Sequence, residues 1–155
     1  MDGSTSHQDT PSEPLAGRLR HRRGAKALVT SDRSVLLVRE RHADGTPFWT
    51  LPGGGVETHE TPAEGLCREM REELRCPVHV GEAVSAFWYV HDSLDAGVSV
   101  YTVHPCSLLS TPVPNAAEGV AAARWVDVDA LPPRTLPQVR YCCENALSTP
   151  VAADD

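Results

Sequence analysis

The 155-residue chain has no run approaching 18 apolar residues, which argues against a membrane-spanning helix. It opens on Met1-Asp2-Gly3-Ser4-Thr5-Ser6-His7, without the apolar core of a secretory leader, so no export signal is expected. Positive charge is also short: Lys plus Arg number 14 against 21 for Asp plus Glu, a formal net charge of -7. Unspecific attraction to nucleic acid or anionic lipid needs the opposite balance, so neither is expected as a partner. The five cysteines, Cys67, Cys76, Cys106, Cys142 and Cys143, are odd in number and contain no C-x-x-C pair. That argues against a disulfide framework or a zinc knuckle, and the thiols read as small hydrophobes in a reducing cytoplasm. No internal repeat is present.

What is present suits one globular domain. Hydrophobic residues make up 41% and charged residues 23% of the chain, a composition that excludes wholesale disorder. The expected division is a disordered tail over residues 1–21, a single domain over 22–147 and a second tail over 148–155. Arg18, Arg20, Arg22, Arg23 and Lys26 form a basic stretch near the first boundary. It reads either as solubilising charge or as a patch facing phosphate, and contact with RNA is the weakest version of the second reading.

Ala25–Thr30 and Ser34–Arg39, parted by Ser31-Asp32-Arg33, read as a hairpin, and Phe48–Leu51 as a short strand ended by Pro52 and three glycines. Thr61-Pro62-Ala63-Glu64 is a helix start with an N-cap, a proline in the first turn and a capping box. Ala63, Leu66, Cys67, Met70 and Leu74 then fall on one stripe, and Pro77 stops the helix near Arg75. Val78–Val90, Val98–Leu108 and Ala122–Val128 read as strands. Leu136, Val139, Cys142, Cys143, Ala146 and Leu147 mark the buried face of a closing helix. Hairpins and helices together predict an α/β domain whose mixed sheet lies between helices.

The segment that carries chemistry starts at Gly53-Gly54-Gly55 and runs to Glu73. Between Glu57 and Glu73 there are six glutamates against two arginines, a local balance of -4. Glu69, Glu72 and Glu73, spaced i, i+3 and i+4, lie within about 100° of one another on a helix. Their mutual repulsion calls for compensation, and a hard divalent cation such as Mg²⁺ takes oxygen ligands while keeping waters and substrate phosphates. A solvated acidic helix face is the bland alternative. The spacing G-x5-E-x7-R-E-U-x-E-E, with U aliphatic, decides against it: Gly54, Glu60, Arg68, Glu69, Met70, Glu72 and Glu73 all fit.

On those residues the chain resembles the Nudix hydrolase family, whose box continues with x-G-U; here Arg75 and Cys76 stand at the last two of those positions, and His59 replaces the glycine usual before Glu60. The resemblance implies a Nudix-like α/β/α sandwich and Mg²⁺-dependent hydrolysis, with Mn²⁺ as an alternative metal. The bond cleaved would be the pyrophosphate of a nucleoside diphosphate linked to a further group. It implies Glu72 and Glu73 as principal metal ligands, Glu69 as a further ligand or base, and the Gly53 carbonyl facing the same metal. Gly54, Glu57, Glu60 and Arg68 become loop-positioning residues, with Arg68 pairing to Glu60 or Glu72. Glu118, in the loop before Arg124-Trp125-Val126, is a second candidate base. The expected partner is a small nucleotide, with a nucleoside triphosphate or a related nucleotide favoured because the marks of the ADP-ribose and coenzyme A branches are missing. Phe48, Trp49, Phe87, Trp88, Tyr89 and Tyr101 are candidate stacking surfaces, some of which must be core. A homodimer is left open, since many relatives form one. The competing reading is a catalytically silent, nucleotide-binding regulatory module, which rests on Arg75-Cys76 alone.

Overall fold

Period-two burial along one strand sets the architecture. The computed structural model describes residues 20–90 and 97–148. In it β3 (Ser34–Arg41) sends Leu36 and Val38 into one apolar cluster and Val35 and Leu37 into another. Helix α1 (Pro62–Leu74) closes the first cluster with Leu66, Met70 and Leu74. Helix α2 (Pro137–Ser148) closes the second with Val139, Cys142 and Cys143. The strands therefore lie between two helical layers, the α/β class expected.

The strands divide into two sheets. The larger contains β5 (Gly53–Gly55), β1 (Arg20–Leu28), β8 (Gly97–Leu108) and β6 (Val78–Val80) in that order, with β7 (Ser85–Val90) also on β8. β1 and β8 run parallel and the other pairs antiparallel, so this sheet is mixed. The smaller is antiparallel: β3 holds β2 (Thr30–Ser31) and β4 (Pro47–Thr50) on one side and β9 (Ala122–Asp127) on the other.

Three local expectations are corrected by this pairing. The expected first hairpin is confined to β2 and β3, turned by Asp32 at φ 53, because the chain changes sheets after Leu28. β1 starts at Arg20, two residues before the expected domain boundary, and pairs in parallel from Arg20↔Gly97 to Leu28↔Pro105. The run Val78–Val90 breaks at Gly81, whose N–H bonds the Pro105 carbonyl, and resumes as β7 against the same partner strand. On α2, Ala146 is exposed rather than buried. The tails and residues 91–96 of the turn lie outside the described residues.

Helix α1 begins as its sequence dictates. The Thr61 hydroxyl accepts the Glu64 N–H at 3.1 Å, and the Glu64 carboxylate accepts the Thr61 N–H at 3.1 Å. It ends at Arg75, which takes the left-handed conformation at φ 50 and ψ 37. The Arg75 N–H then reaches the Arg71 carbonyl and the Cys76 N–H the Met70 carbonyl. A side chain at this backbone position costs about 1 kcal/mol relative to glycine, but the helix end is formed without one. The five cysteines are free, with Cys76, Cys142 and Cys143 buried and Cys67 and Cys106 half-buried. Burial pushes the Cys106 and Cys143 thiols up to about 12, which keeps them unreactive. No helix among the described residues is long and apolar enough to cross a membrane.

Candidate active site

Strand β5 is laid against both β1 and α1, and each contact depends on a missing side chain. Gly53 sits at φ 130, and a Cβ there would come within 2.2 Å of the Ala25 carbonyl oxygen. Only glycine meets both demands. Its N–H donates to the Glu73 carboxylate at 2.9 Å, and its carbonyl accepts from the Lys26 ammonium at 3.0 Å. At Gly54 a Cβ would lie 2.8 Å from the Glu69 carboxyl carbon, so the bare backbone is the seat of that carboxylate.

One helical turn apart, Glu69 and Glu73 project into a cavity of about 440 Å³ between the sheets. Glu73 is 5% exposed. Burial pushes its carboxyl up to about 8, against the opposing pull of Lys26 and the Gly53 N–H, with Glu40 and Glu69 adding to the rise. Glu69 is also raised, by burial first, although Arg68 opposes the shift. Glu72 does not line this cavity. It lies half-exposed beside Arg68, whose guanidinium reaches it at 3.2 Å.

Arg68 has every donor engaged. It grips Glu60 with two bonds of 2.9 Å and also meets Glu69 at 3.0 Å and the Gly55 carbonyl at 2.9 Å. Glu60 in turn accepts the Glu57 N–H at 2.9 Å. The Arg68 bonds and that N–H hold the Glu60 carboxyl down at about 2. This fork ties the loop to the helix, the arrangement a bidentate guanidinium favours. The Glu57 carboxylate instead faces solvent, 3.4 Å from His59.

Glu118 does not line the cavity, although the next residue, Gly119, does. It is exposed on a single 3-10 turn, Ala116–Glu118, with no hydrogen bond or ion pair to the other glutamates. The loop is nevertheless docked on α1: Asn115 donates its amide to the Glu72 carbonyl at 2.9 Å and its backbone N–H to the Glu73 carbonyl at 2.8 Å. These bonds satisfy carbonyls that the end of a helix leaves open.

Sequence reasoning missed Glu40, Arg41 and His42, which line the cavity with Glu69 and Glu73, and read Lys26 only as part of a basic stretch, not as a neighbour of the acids. Lys26 stands between the buried Ala25 and Ala27, and that charge among small apolar residues was an available signal; Glu40 sits among charges at the end of β3, Arg39-Glu40-Arg41, and offered none. Of the six aromatic candidates, Phe48, Phe87, Tyr89 and Tyr101 line the cavity. His42 stacks on Phe48 at 4.1 Å, Phe48 neighbours Tyr89 at 6.5 Å, and the Tyr89 hydroxyl meets His42 Nδ1 at 3.1 Å. Trp49 belongs to the core, and Trp88 is 62% exposed on the opposite face of β7.

Could these residues hold a metal? Among the described residues no three acidic, His or Cys side chains converge to form a cage. The donors that do meet are hard oxygens, the carboxylates of Glu69 and Glu73 and the nearby Gly53 carbonyl. A cation that keeps its own waters and takes only one or two carboxylates, such as Mg²⁺, fits that set. Burial raises the Glu73 carboxyl, and a cation bound beside it would oppose that rise.

Residues 20–143 match the family model described as the NUDIX domain. The chain belongs to that family. Its NUDIX fold is similar to the crystal structure of MutT NUDIX hydrolase from Burkholderia pseudomallei, with a TM-score of 0.71 and 25% identity. That likeness covers 81% of this chain and 97% of the other. Among curated proteins, CTP pyrophosphohydrolase of Escherichia coli is 38% identical over 61 residues, covering 39% of this chain and 45% of that protein. RNA pyrophosphohydrolase of Orientia tsutsugamushi is 28% identical over 71 residues, covering 46% and 44%. The chain thus spans less than half the length of these curated relatives.

Proposed function

We propose that the chain is a divalent-metal-dependent nucleotide pyrophosphohydrolase, with Mg²⁺ the natural metal and Mn²⁺ able to replace it. The observation that carries this reading is the meeting of Glu69, Glu73 and the Gly53 backbone in a cavity whose other wall is aromatic. The similar proteins named for CTP and RNA pyrophosphohydrolysis fit the same bond class. A small nucleotide is the favoured substrate, and a nucleoside triphosphate is the specific expectation. His42, Phe48 and Tyr89 offer a stacked surface for its base, with the Tyr89–His42 pair as polar partners at the rim.

In this reading Glu73 and the Gly53 carbonyl would hold the metal, with Glu69 and Glu72 as the further candidate ligands. When bound, the ion would neutralise the pyrophosphate and acidify a water. The residues of the chain supply the positioning that phosphoryl transfer chiefly needs. Glu69 is the better placed base, because it lines the cavity while Glu118 is exposed. Arg68, by holding Glu60 and Glu69 together, fixes the helix on the loop. Arg22 and Arg41 also line the cavity and are positioned to meet phosphate.

The silent-module alternative gains nothing from the geometry. Arg75-Cys76, its sole support, forms a complete helix end. The test is a nucleotide panel with Mg²⁺ in water enriched in heavy oxygen, with products identified by mass. Release of a labelled nucleoside monophosphate or labelled pyrophosphate is the expected result. Binding without any product at saturating Mg²⁺ would favour the silent module.

A further inference from the structure

Lys26 is the only lysine in the chain, where thirteen other cationic positions are arginine. It is also buried, 5% exposed, on a strand whose neighbours Ala25 and Ala27 are fully buried. A lone ammonium is costly in such a place unless it is paired, and its surroundings say with what. Its Nζ donates to the Gly53 carbonyl at 3.0 Å and lies 4.7 Å from the centre of the Tyr101 ring. Glu40, Glu69 and Glu73 line the same cavity, so acidic side chains surround it. A compact ammonium on a flexible stem suits this role better than the planar arginine fork.

We infer that Lys26 is a resident counter-cation of the acidic cluster, occupying the Gly53 carbonyl and the field of Glu69 and Glu73, and that it competes with a divalent cation for them. This rests on the metal reading above. Two cations cannot share one carbonyl and one pair of carboxylates without repulsion, so the protein without nucleotide binds metal weakly. The ammonium is within the same cavity as the phosphates would be, and a charged phosphate oxygen is a stronger acceptor than a carbonyl. Arrival of the polyphosphate would therefore free the carbonyl, and metal and nucleotide would bind together. Lys26 is thus a positioning residue, setting when the metal enters.

The experiment uses Mn²⁺ alone, with no nucleotide, and follows free Mn²⁺ by electron paramagnetic resonance in the full-length parent, Lys26→Met, Lys26→Arg and Glu73→Gln proteins. Lys26→Met should bind Mn²⁺ more tightly by on the order of tenfold, the effect of removing one nearby like charge. Lys26→Arg should return the affinity toward the parent. The rise in melting temperature on adding Mn²⁺ is read on the same samples, and Lys26→Gln is measured in parallel in case Lys26→Met does not fold. Equal or weaker Mn²⁺ binding by both neutral variants, with binding still abolished in Glu73→Gln, would overturn the role of Lys26 and leave the metal site standing. Absence of any Glu73-dependent Mn²⁺ binding in the parent would overturn both.

Discussion

Two carboxylates hold α1 to the glycine strand and its loop, and they do so in opposite ways. At the outer end Glu60 is gripped twice by Arg68, accepts a backbone N–H and has its carboxyl held down at about 2. At the inner end Glu73 accepts the Gly53 N–H, lies buried and has its carboxyl pushed up to about 8. The outer contact is saturated, because the five donors of arginine leave nothing open. The inner one is buried, and burial raises its carboxyl even against the pull of Lys26. A saturated contact holds structure, whereas a carboxylate that lines a cavity is open to a ligand.

The largest expected effect at the inner end short of removing an acid comes from filling the seat of Glu69. Gly54→Ala places a Cβ 2.8 Å from that carboxyl, and hydrolysis should fall by about a hundredfold, the scale of an ångström-sized misplacement. Its melting temperature should stay within a few degrees of the parent. If the rate is unchanged, Glu69 does not act from its observed position.

At the outer end, Arg68→Met should cost about 2 kcal/mol in urea unfolding, the scale of charge-assisted hydrogen bonds at a partly exposed site. Any loss of hydrolysis should follow from the displaced Glu69 and remain smaller than the Gly54→Ala loss. A stability change below about 0.5 kcal/mol would mean the fork is decorative.

The two ends should also answer pH with opposite signs. For Glu73 the folded carboxyl, at about 8, lies above its ordinary 4.5. The native state then binds more protons than the unfolded state, and metal-free stability should fall as pH rises from 4.5 to 8. For Glu60, at about 2 against 4.5, the native state binds fewer protons, so stability is lost as pH drops from 4.5 toward 2. Melting temperatures across pH 3 to 8 check both arms. Glu73→Gln should flatten only the upper arm, and Glu60→Gln only the lower.

Much of this contrast was legible in the residues. Thr61, Pro62, Glu64 and Pro77 set both ends of α1 by local chemistry, and the glutamate spacing singled out the helix face. What was not legible depended on distant pairing. Only the register of β1 with β5 and β8 brings Lys26 to Gly53, and only burial from all sides separates Glu73 from Glu72, which look equivalent in sequence. Glu118, a base candidate by position in the chain, is exposed on its 3-10 turn, and only the contacts of the preceding Asn115 with the Glu72 and Glu73 carbonyls show how that loop is docked on α1.

The smallest effect is expected away from both ends, at the left-handed Arg75. Arg75→Gly should raise stability by about 0.5 kcal/mol, the relief of the side chain less the greater freedom of unfolded glycine. Its hydrolysis should match the parent. A changed rate would tie the helix end to the site and reopen the regulatory reading.

The central claim is that the buried end does the chemistry and the saturated end holds it in place. The direct test compares initial rates of Mg²⁺-dependent nucleotide hydrolysis for the parent, Glu73→Gln and Glu60→Gln at equal folded concentration. Glu73→Gln should lose on the order of a thousandfold, as when a centre of transition-state charge stabilisation is removed, while Glu60→Gln stays within about tenfold of the parent. A Glu73→Gln protein that hydrolyses nucleotide at the parent rate would contradict the account.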